Sequence, residues 1–198
     1  MLPVATITEE IFNHLVAQLG EQAIEDILWS ESLSLPQDEE DFALNFIFVV
    51  VNSGMHNQVA QKIFDRCLDA VRRGDPVTSV FKHPGKARAI DEVWNNRHTH
   101  YQAFLVAPDR LAYVANLPWI GKITKYHLAK NLGIADVAKP DVHLQRLADR
   151  EGCSVQAMCE RLALQVGYRV GTVDTILWRA CANGVLDSKT GSIASSQP

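Results

Sequence analysis

Long apolar runs are missing from this sequence. The longest, residues 46–51, is far too short to cross a membrane. The N-terminal Met1-Leu2-Pro3-Val4 also lacks the basic start and the apolar region of a secretory signal peptide. We therefore expect a protein of the cytoplasm or nucleoid with no membrane partner.

Metal-like cysteine spacing is also missing, because the four cysteines include no Cys-x-x-Cys pair. Such cysteines are typical of buried, reduced thiols. His98 and His100 are two residues apart, a spacing that does not bring them side by side on a helix. The sequence therefore predicts neither a metal site nor a cofactor.

Lys and Arg are absent from the first 61 residues, which carry ten acidic side chains. The rest of the chain carries 13 acidic and 19 basic residues, so the net charge of -4 divides into -10 and +6. One interpretation is an acidic lobe that faces away from nucleic acid and a basic lobe that faces it. Uneven charge is also common in helical domains that bind no nucleic acid.

Apolar residues recur at helical spacing along most of the chain, which predicts an all-α fold. The acidic residues 38–41 precede an almost unbroken apolar run over residues 42–51. By composition that run suits a buried strand, but its acidic start and the helices predicted on both sides favour a central buried helix. We predict one helical domain over residues 1–186 and a disordered, Ser- and Gly-rich tail over residues 187–198.

The sequence Leu117-Pro118-Trp119-Ile120-Gly121 predicts a tight turn between two helices. Pro118 is disfavoured inside a helix and Gly121 can adopt a positive φ. A helix over residues 122–132, ended by Gly133, follows. The free N–H groups and the positive end of the dipole at its start suit a phosphate group. Three polar side chains lie beside it: Lys122, Thr124 and Lys125. Such a turn binds the nucleic-acid backbone without reading its sequence.

Seventeen residues after Thr124 comes Asp141, in Pro140-Asp141-Val142-His143-Leu144 with Arg146 downstream. Together with the turn and the helix after it, this stretch resembles the helix-hairpin-helix DNA glycosylases over roughly residues 110–180. The family pattern is Leu-Pro-Gly-Ile/Val-Gly-x-Lys, a helix, then Val-Asp-x-His and a downstream Arg.

The resemblance implies a compact, two-lobed helical bundle with a helix-hairpin-helix motif and a cleft between the lobes. It implies a monomer that binds double-stranded DNA, extrudes a damaged or modified base and hydrolyses its N-glycosidic bond. The implied DNA contacts are Leu117, Trp119, Gly121, Lys122, Thr124 and Lys125.

Asp141 is the candidate catalytic carboxylate. Cutting an N-glycosidic bond develops positive charge on the sugar, which a nearby carboxylate stabilises while it orients a water molecule. The alternative is that Asp141 only caps the helix after Pro140. One side chain can perform both roles.

The chain departs from the family pattern at two positions. Trp119 replaces the first hairpin glycine, and Ile123 stands where the bifunctional members carry their Schiff-base lysine. Lys122 lies one place before that position and Lys125 two places after it. Hydrolysis by water is therefore expected, with a lyase role for Lys122 left open. The four-cysteine iron–sulfur cluster of some members is also missing.

Trp119 has two interpretations, as an anchor buried against the preceding helix or as a ring that contacts DNA, and we favour the first. The resemblance implies that the loop after the central helix is the wedge that fills the gap left by an extruded base. Its residues are Asn52, Met55, His56 and Asn57, and Lys139 and His143 are further pocket candidates. Each of them has a simpler explanation as an ordinary turn or surface residue.

Two other functions remain open on the same scaffold. One is an enzyme that further modifies unusual bases, as in systems that act on phage DNA. The other is a DNA-binding module without catalysis, in which Asp141 is structural.

Overall fold

The structure is a computed structural model that describes residues 7–55 and 57–194, and the regular secondary structure of these residues is helical apart from one isolated bridge. Their helices are α1 (Glu9–Leu19), α2 (Glu21–Ser32), α3 (Glu39–Asn52), α4 (Asn57–Arg73), α5 (Pro84–Asn95), α6 (Arg97–Val106), α7 (Arg110–Ala115), α8 (Thr124–Asn131), α9 (Val142–Glu151), α10 (Val155–Val166) and α11 (Val170–Ala182), with a 3-10 helix at Val77–Ser79. The predicted all-α class is confirmed. Among the described helices, none has the length and apolar character needed to cross a membrane.

The chain divides into two helical units. The first combines both ends of the chain, residues 1–33 and 135–198, and the second is the continuous segment 34–134. Each unit has its own hydrophobic core. The single undivided domain predicted over residues 1–186 therefore consists of two units, whose limits fall within loops.

In the first unit, α11 packs against α1, α2, α9 and α10. It is buried over the whole of residues 170–177, and this stretch includes the polar Thr172, Asp174 and Thr175. Its start is capped by Asp136, whose two carboxylate oxygens accept bonds of 2.9 and 2.8 Å from the N–H groups of Val170 and Gly171. Arg179 of α11 forms two hydrogen bonds to Asp26 of α2, at 2.8 and 3.1 Å.

In the second unit, α3 packs against α4, α5, α6 and α8. The Asp38 side chain caps α3 by accepting a 2.8 Å bond from the Asp41 N–H. Phe42, Phe46 and Ile47 are fully buried along it. The prediction of a central buried helix rather than a strand is confirmed.

The predicted disordered tail is wrong for residues 187–194. A short turn there pairs Leu186 with Ile193 in an antiparallel bridge. Ser188 is buried within it and bonds to His143 of α9 at 3.0 Å. Residues 195–198 lie outside the described part of the chain. The order of this segment depends on long-range contacts that its composition does not contain.

The expectation for the cysteines holds with one correction. Cys67, Cys159 and Cys181 are buried and form no disulfide, whereas Cys153 is only half-buried. Cys153 lies in the short joint between α9 and α10, where less of the core covers it.

Candidate nucleic-acid interface

The turn at residues 117–121 differs from its predicted geometry. Trp119, rather than Gly121, adopts the positive φ, at 64°. The N–H of Ile120 donates to the Leu117 carbonyl at 3.2 Å and closes a tight turn over Pro118 and Trp119. Trp119 occupies the slot of the first hairpin glycine in the resembled family, so the left-handed conformation falls where that pattern has glycine. The expectation of a positive φ at Gly121 is wrong.

Gly121 and Thr124 close the next turn with their own groups. The Gly121 N–H donates to Thr124 Oγ1 at 2.8 Å, and the Gly121 carbonyl accepts from the Lys125 N–H at 3.1 Å. The Thr124 hydroxyl, predicted as an extra phosphate contact, is therefore engaged in holding the turn.

Three consecutive backbone donors remain at the start of α8. Within the described part of the chain, the N–H groups of Lys122, Ile123 and Thr124 have no hydrogen-bond acceptor. Ile123, at the N-cap position, provides no capping side chain. Lys122 and Ile123 are exposed. These donors and the positive end of the helix dipole form a site that suits an anion.

Lys125 differs from Lys122. It is half-buried, and its Nζ lies 4.9 Å from the centre of the Tyr126 ring. This cation–π contact keeps the ammonium group close to the surface of α8. Of the two hairpin lysines, Lys122 is the more accessible.

Trp119 packs against the start of α5, whereas the prediction placed it on the preceding helix. Its ring lies edge-on to the His83 ring, with centroids 4.9 Å apart, and covers Gly85. A Cβ at Gly85 would lie 2.8 Å from Trp119 Cη2, so only glycine fits beneath the ring. Trp119 is still 47% exposed. The ring therefore anchors the turn and offers a face to the solvent at the same time.

The first turn of α5 also contains a buried lysine, Lys86, that was not predicted from the sequence. Lys86 is 5% exposed, and its Nζ donates to the carbonyl oxygens of Ser53 and, at 3.5 Å, Val51. Burial lowers the pKa of Lys86. Lys86 lies on the same face of α5 as Ile90 and Val93, which is apolar. This spacing is the sequence signal that could have predicted its burial.

The candidate wedge loop follows α3 directly. Asn52 donates its side-chain amide to the Phe48 carbonyl at 2.8 Å, and Met55 is half-buried against the core of the second unit. Gly54 between them has a φ of 67°. His56 and the side chain of Asn57 lie outside the described residues, although α4 begins at Asn57.

Asp141 lies in the first unit and caps α9. Its Oδ1 accepts bonds of 2.9 and 3.0 Å from the N–H groups of His143 and Leu144, and no described bond uses Oδ2. Burial, together with the carboxylates of Asp141 and Asp187, raises the pKa of the Cys181 thiol to about 12. The predicted cap is therefore present, and one carboxylate oxygen remains available beside it.

The other two candidates in the first unit are Lys139 and His143. Both are half-buried, and Lys139 supplies the carbonyl that accepts the Asp141 N–H at 2.8 Å. The His143 Nδ1 is engaged by Ser188. The structure thus groups the hairpin, the start of α5 and residues 52–55 in the second unit, and Lys139, Asp141 and His143 in the first.

A polar network that was missed from the sequence lines a cleft of about 370 Å³ beside the hairpin. His100 lies 3.0 Å from both Glu92 Oε1 and the Tyr113 hydroxyl, and Leu117 and Pro118 form another wall. Burial and the Glu92 carboxylate raise the pKa of Tyr113. The network joins α5, α6 and α7 just ahead of the hairpin turn.

The charges follow the two units less sharply than expected. The ten acidic residues that precede Lys62 divide between the units, six and four. The first unit has 13 acidic and 7 basic residues, a net charge of -6, and the second has 10 acidic and 12 basic residues, a net charge of +2. The difference in net charge between the two units is therefore smaller than the predicted difference between an acidic and a basic lobe. The hairpin nevertheless lies in the unit with the positive net charge.

Comparisons with protein-family models, curated proteins and solved structures found no match to this chain. Among the described residues, no group of three His, Cys, Asp or Glu side chains is arranged to hold a metal ion.

Proposed function

We propose that this protein is a helix-hairpin-helix DNA glycosylase that hydrolyses the N-glycosidic bond of a damaged or modified base extruded from double-stranded DNA. It acts as a monomer in the cytoplasm or nucleoid. The observation that carries the proposal is the carboxylate of Asp141, which caps α9 through Oδ1 alone and keeps Oδ2 for a second task.

DNA binding is supported by the three unused N–H groups at residues 122–124 and by the exposed Lys122 beside them. A phosphate oxygen bound there accepts charge-assisted hydrogen bonds from the backbone, which fix position without reading sequence. The exposed face of Trp119 adds an aromatic surface for a sugar or base.

The chemistry assigned to Asp141 is electrostatic and positional. As the base departs, positive charge grows on the sugar, and the carboxylate stabilises it. The N-glycosidic bond breaks with its electron pair on the departing base. The unused Oδ2 accepts a hydrogen bond from the attacking water and then its proton, as the water oxygen bonds to the anomeric carbon, and that proton is passed on to the base. Water rather than lysine is the nucleophile, because Ile123 occupies the slot of the Schiff-base lysine.

Asn at position 141 provides the test, because it caps a helix as well as Asp does but carries no charge. Duplexes with a panel of lesions and modified bases are incubated with the protein and then treated with alkali. We expect strand breaks at one type of base with the wild-type protein, and none with Asp141→Asn, while DNA affinity is unchanged. Asp149→Asn, an exposed change on the same helix, is the matched control and should retain full cleavage.

The alternative outcomes are distinct. DNA binding without any abasic product would refute glycosylase activity and favour either of two other functions. One is a base-modifying enzyme, which Trp119 in the glycine slot and Ile123 in the lysine slot leave open, and the other is a binding module. Breaks that appear without alkali would indicate lyase action, and Lys122→Met would then be expected to abolish them. Full cleavage by Asp141→Asn would exclude the role given to this carboxylate.

A further inference from the structure

Lys86 makes an unusual connection between two helix ends in the second unit. A lysine that is 5% exposed is rarely buried without partners, and this one donates to the carbonyls of Val51 and Ser53. These carbonyls belong to the last turn of α3 and its C-cap, where a helix leaves acceptors unpaired and where its dipole favours a cation. Lys86 is therefore the cap of α3, provided by another helix.

The same turn of α5 receives the hairpin. His83, the N-cap of α5, contacts the Trp119 ring, and Gly85 lies beneath it without room for a Cβ. Gly85 and Lys86 are adjacent in the chain. The first turn of α5 therefore contacts the hairpin through Gly85 and the end of α3 through Lys86.

The connection continues into the candidate wedge loop. Ser53, the residue held by Lys86, is followed by Gly54 and Met55. Gly54 has a positive φ and open space where a Cβ would lie, and the Met55 N–H donates to the Asn52 carbonyl at 3.2 Å. Over residues 52–55 the loop is therefore fixed at its Lys86 end, and a glycine lies next to that fixed point.

We propose that Lys86 is a positioning residue that couples the phosphate-binding hairpin to the loop at residues 52–55, so that DNA capture and entry of the loop into the duplex occur together. This inference rests on the proposed function. A displacement of Trp119 by a bound backbone moves the first turn of α5, and Lys86 transmits that movement to Ser53. A neutral side chain of similar length would fill the space but would leave both carbonyls without their donor.

The test separates duplex binding from base extrusion. Fluorescence anisotropy with an unmodified duplex measures capture by the hairpin, and the fluorescence of 2-aminopurine placed beside a mispair measures unstacking when the loop enters. The variants are Lys86→Met, which removes the donor, and Lys86→Gln, which keeps two neutral N–H donors. Lys62→Met is the control, because it removes the same charge from an exposed site on α4.

We expect Lys86→Met to keep duplex affinity within about twofold of the wild-type value and to lower the extrusion equilibrium by about tenfold or more, as expected for loss of hydrogen bonds from a charged donor. Lys86→Gln should be intermediate and Lys62→Met unchanged. A folded Lys86→Met with a wild-type fluorescence rise would overturn the proposal. So would parallel losses of affinity and fluorescence, since these would show general damage to the unit.

Hydrogen exchange on the wild-type protein covers the case in which both Lys86 variants fail to fold. Binding of the duplex should slow exchange of the Ile123 and Met55 amides together, and slowing at Ile123 alone would overturn the coupling. The proposed function is judged separately. Base extrusion without an abasic product would refute the glycosylase and leave the coupling supported, whereas a wild-type protein that does not bind duplex would refute both.

Discussion

Because the backbone at position 119 is left-handed, we expect glycine at this position to give a more stable protein than alanine. Outside such positions, replacing Ala with Gly destabilises a folded chain by about 0.5–1 kcal/mol, because the unfolded chain gains freedom. A non-glycine residue with a left-handed φ costs about 1–2 kcal/mol. At a φ of 64° the second effect exceeds the first. We therefore expect Trp119→Gly to be more stable than Trp119→Ala by about 0.5–1 kcal/mol.

Both variants also lose the free energy that burial of the Trp119 ring contributes. Trp119 is 47% exposed, so about half of its surface is buried, mainly against His83 and Gly85. About 100 Å² of apolar surface at 25 cal/mol/Å² corresponds to about 2.5 kcal/mol. Trp119→Ala should lose about that amount and Trp119→Gly about 1.5–2 kcal/mol, after the relief of backbone strain.

Urea denaturation followed by far-UV circular dichroism measures the two free energies of unfolding. Gly121→Ala is the matched control, because Gly121 has no positive φ and its added Cβ would lie 3.5 Å from Thr124 Oγ1, an ordinary contact. There alanine should be neutral or slightly stabilising. If Trp119→Ala equals or exceeds Trp119→Gly in stability, the left-handed conformation assigned to this position is refuted.

Three further predictions concern other residues. Asp141→Ala should destabilise the protein by about 1 kcal/mol through loss of the α9 cap, whereas Asp141→Asn should not, as measured by urea denaturation. Gly85→Ala should cost about 1–3 kcal/mol in the wild-type background, because its Cβ collides with the Trp119 ring, and far less in Trp119→Ala; equal costs in a double-mutant cycle would contradict this packing. Burial raises the pKa of Cys67 to about 11, and burial together with nearby carboxylates raises the pKa of Cys181 to about 12. As the pH rises past about 9, these two thiols therefore ionise in the unfolded chain before they ionise in the folded protein. The free energy of unfolding should therefore fall between about pH 9 and pH 11, and fall less when both cysteines are replaced by alanine.

The sequence predicted best those elements whose signals are local. The limits of α10 follow from local signals, because Ser154 caps its start and Gly167 ends it with a left-handed conformation. The acidic N-terminus of α3 likewise distinguished a buried helix from a strand of the same composition. Capping chemistry and helix dipoles act within one turn, so a single sequence contains them.

The features that the sequence did not reveal depend on distant contacts. Residues 187–194 are ordered through Ser188 and its neighbours in the first unit, while their composition suggested disorder. The positive φ of Trp119 is stabilised by packing on Gly85, more than thirty residues earlier, and local propensity alone assigned it to Gly121. Lys86 is buried because carbonyls from α3 accept its protons. In each case tertiary structure overrides a local preference.

The composite nature of the first unit has a consequence for synthesis of the chain. Helices α1 and α2 leave the ribosome long before α11, the helix on which they pack. The continuous segment 34–134 has its complete set of core residues much earlier. Because domains generally fold as units during translation, the middle of this polypeptide is expected to acquire its native packing first, while the apolar face of the N-terminal helices waits for the C-terminal ones. Loss of α11 through a premature stop codon would leave that face uncovered, and such a product is expected to aggregate or be degraded.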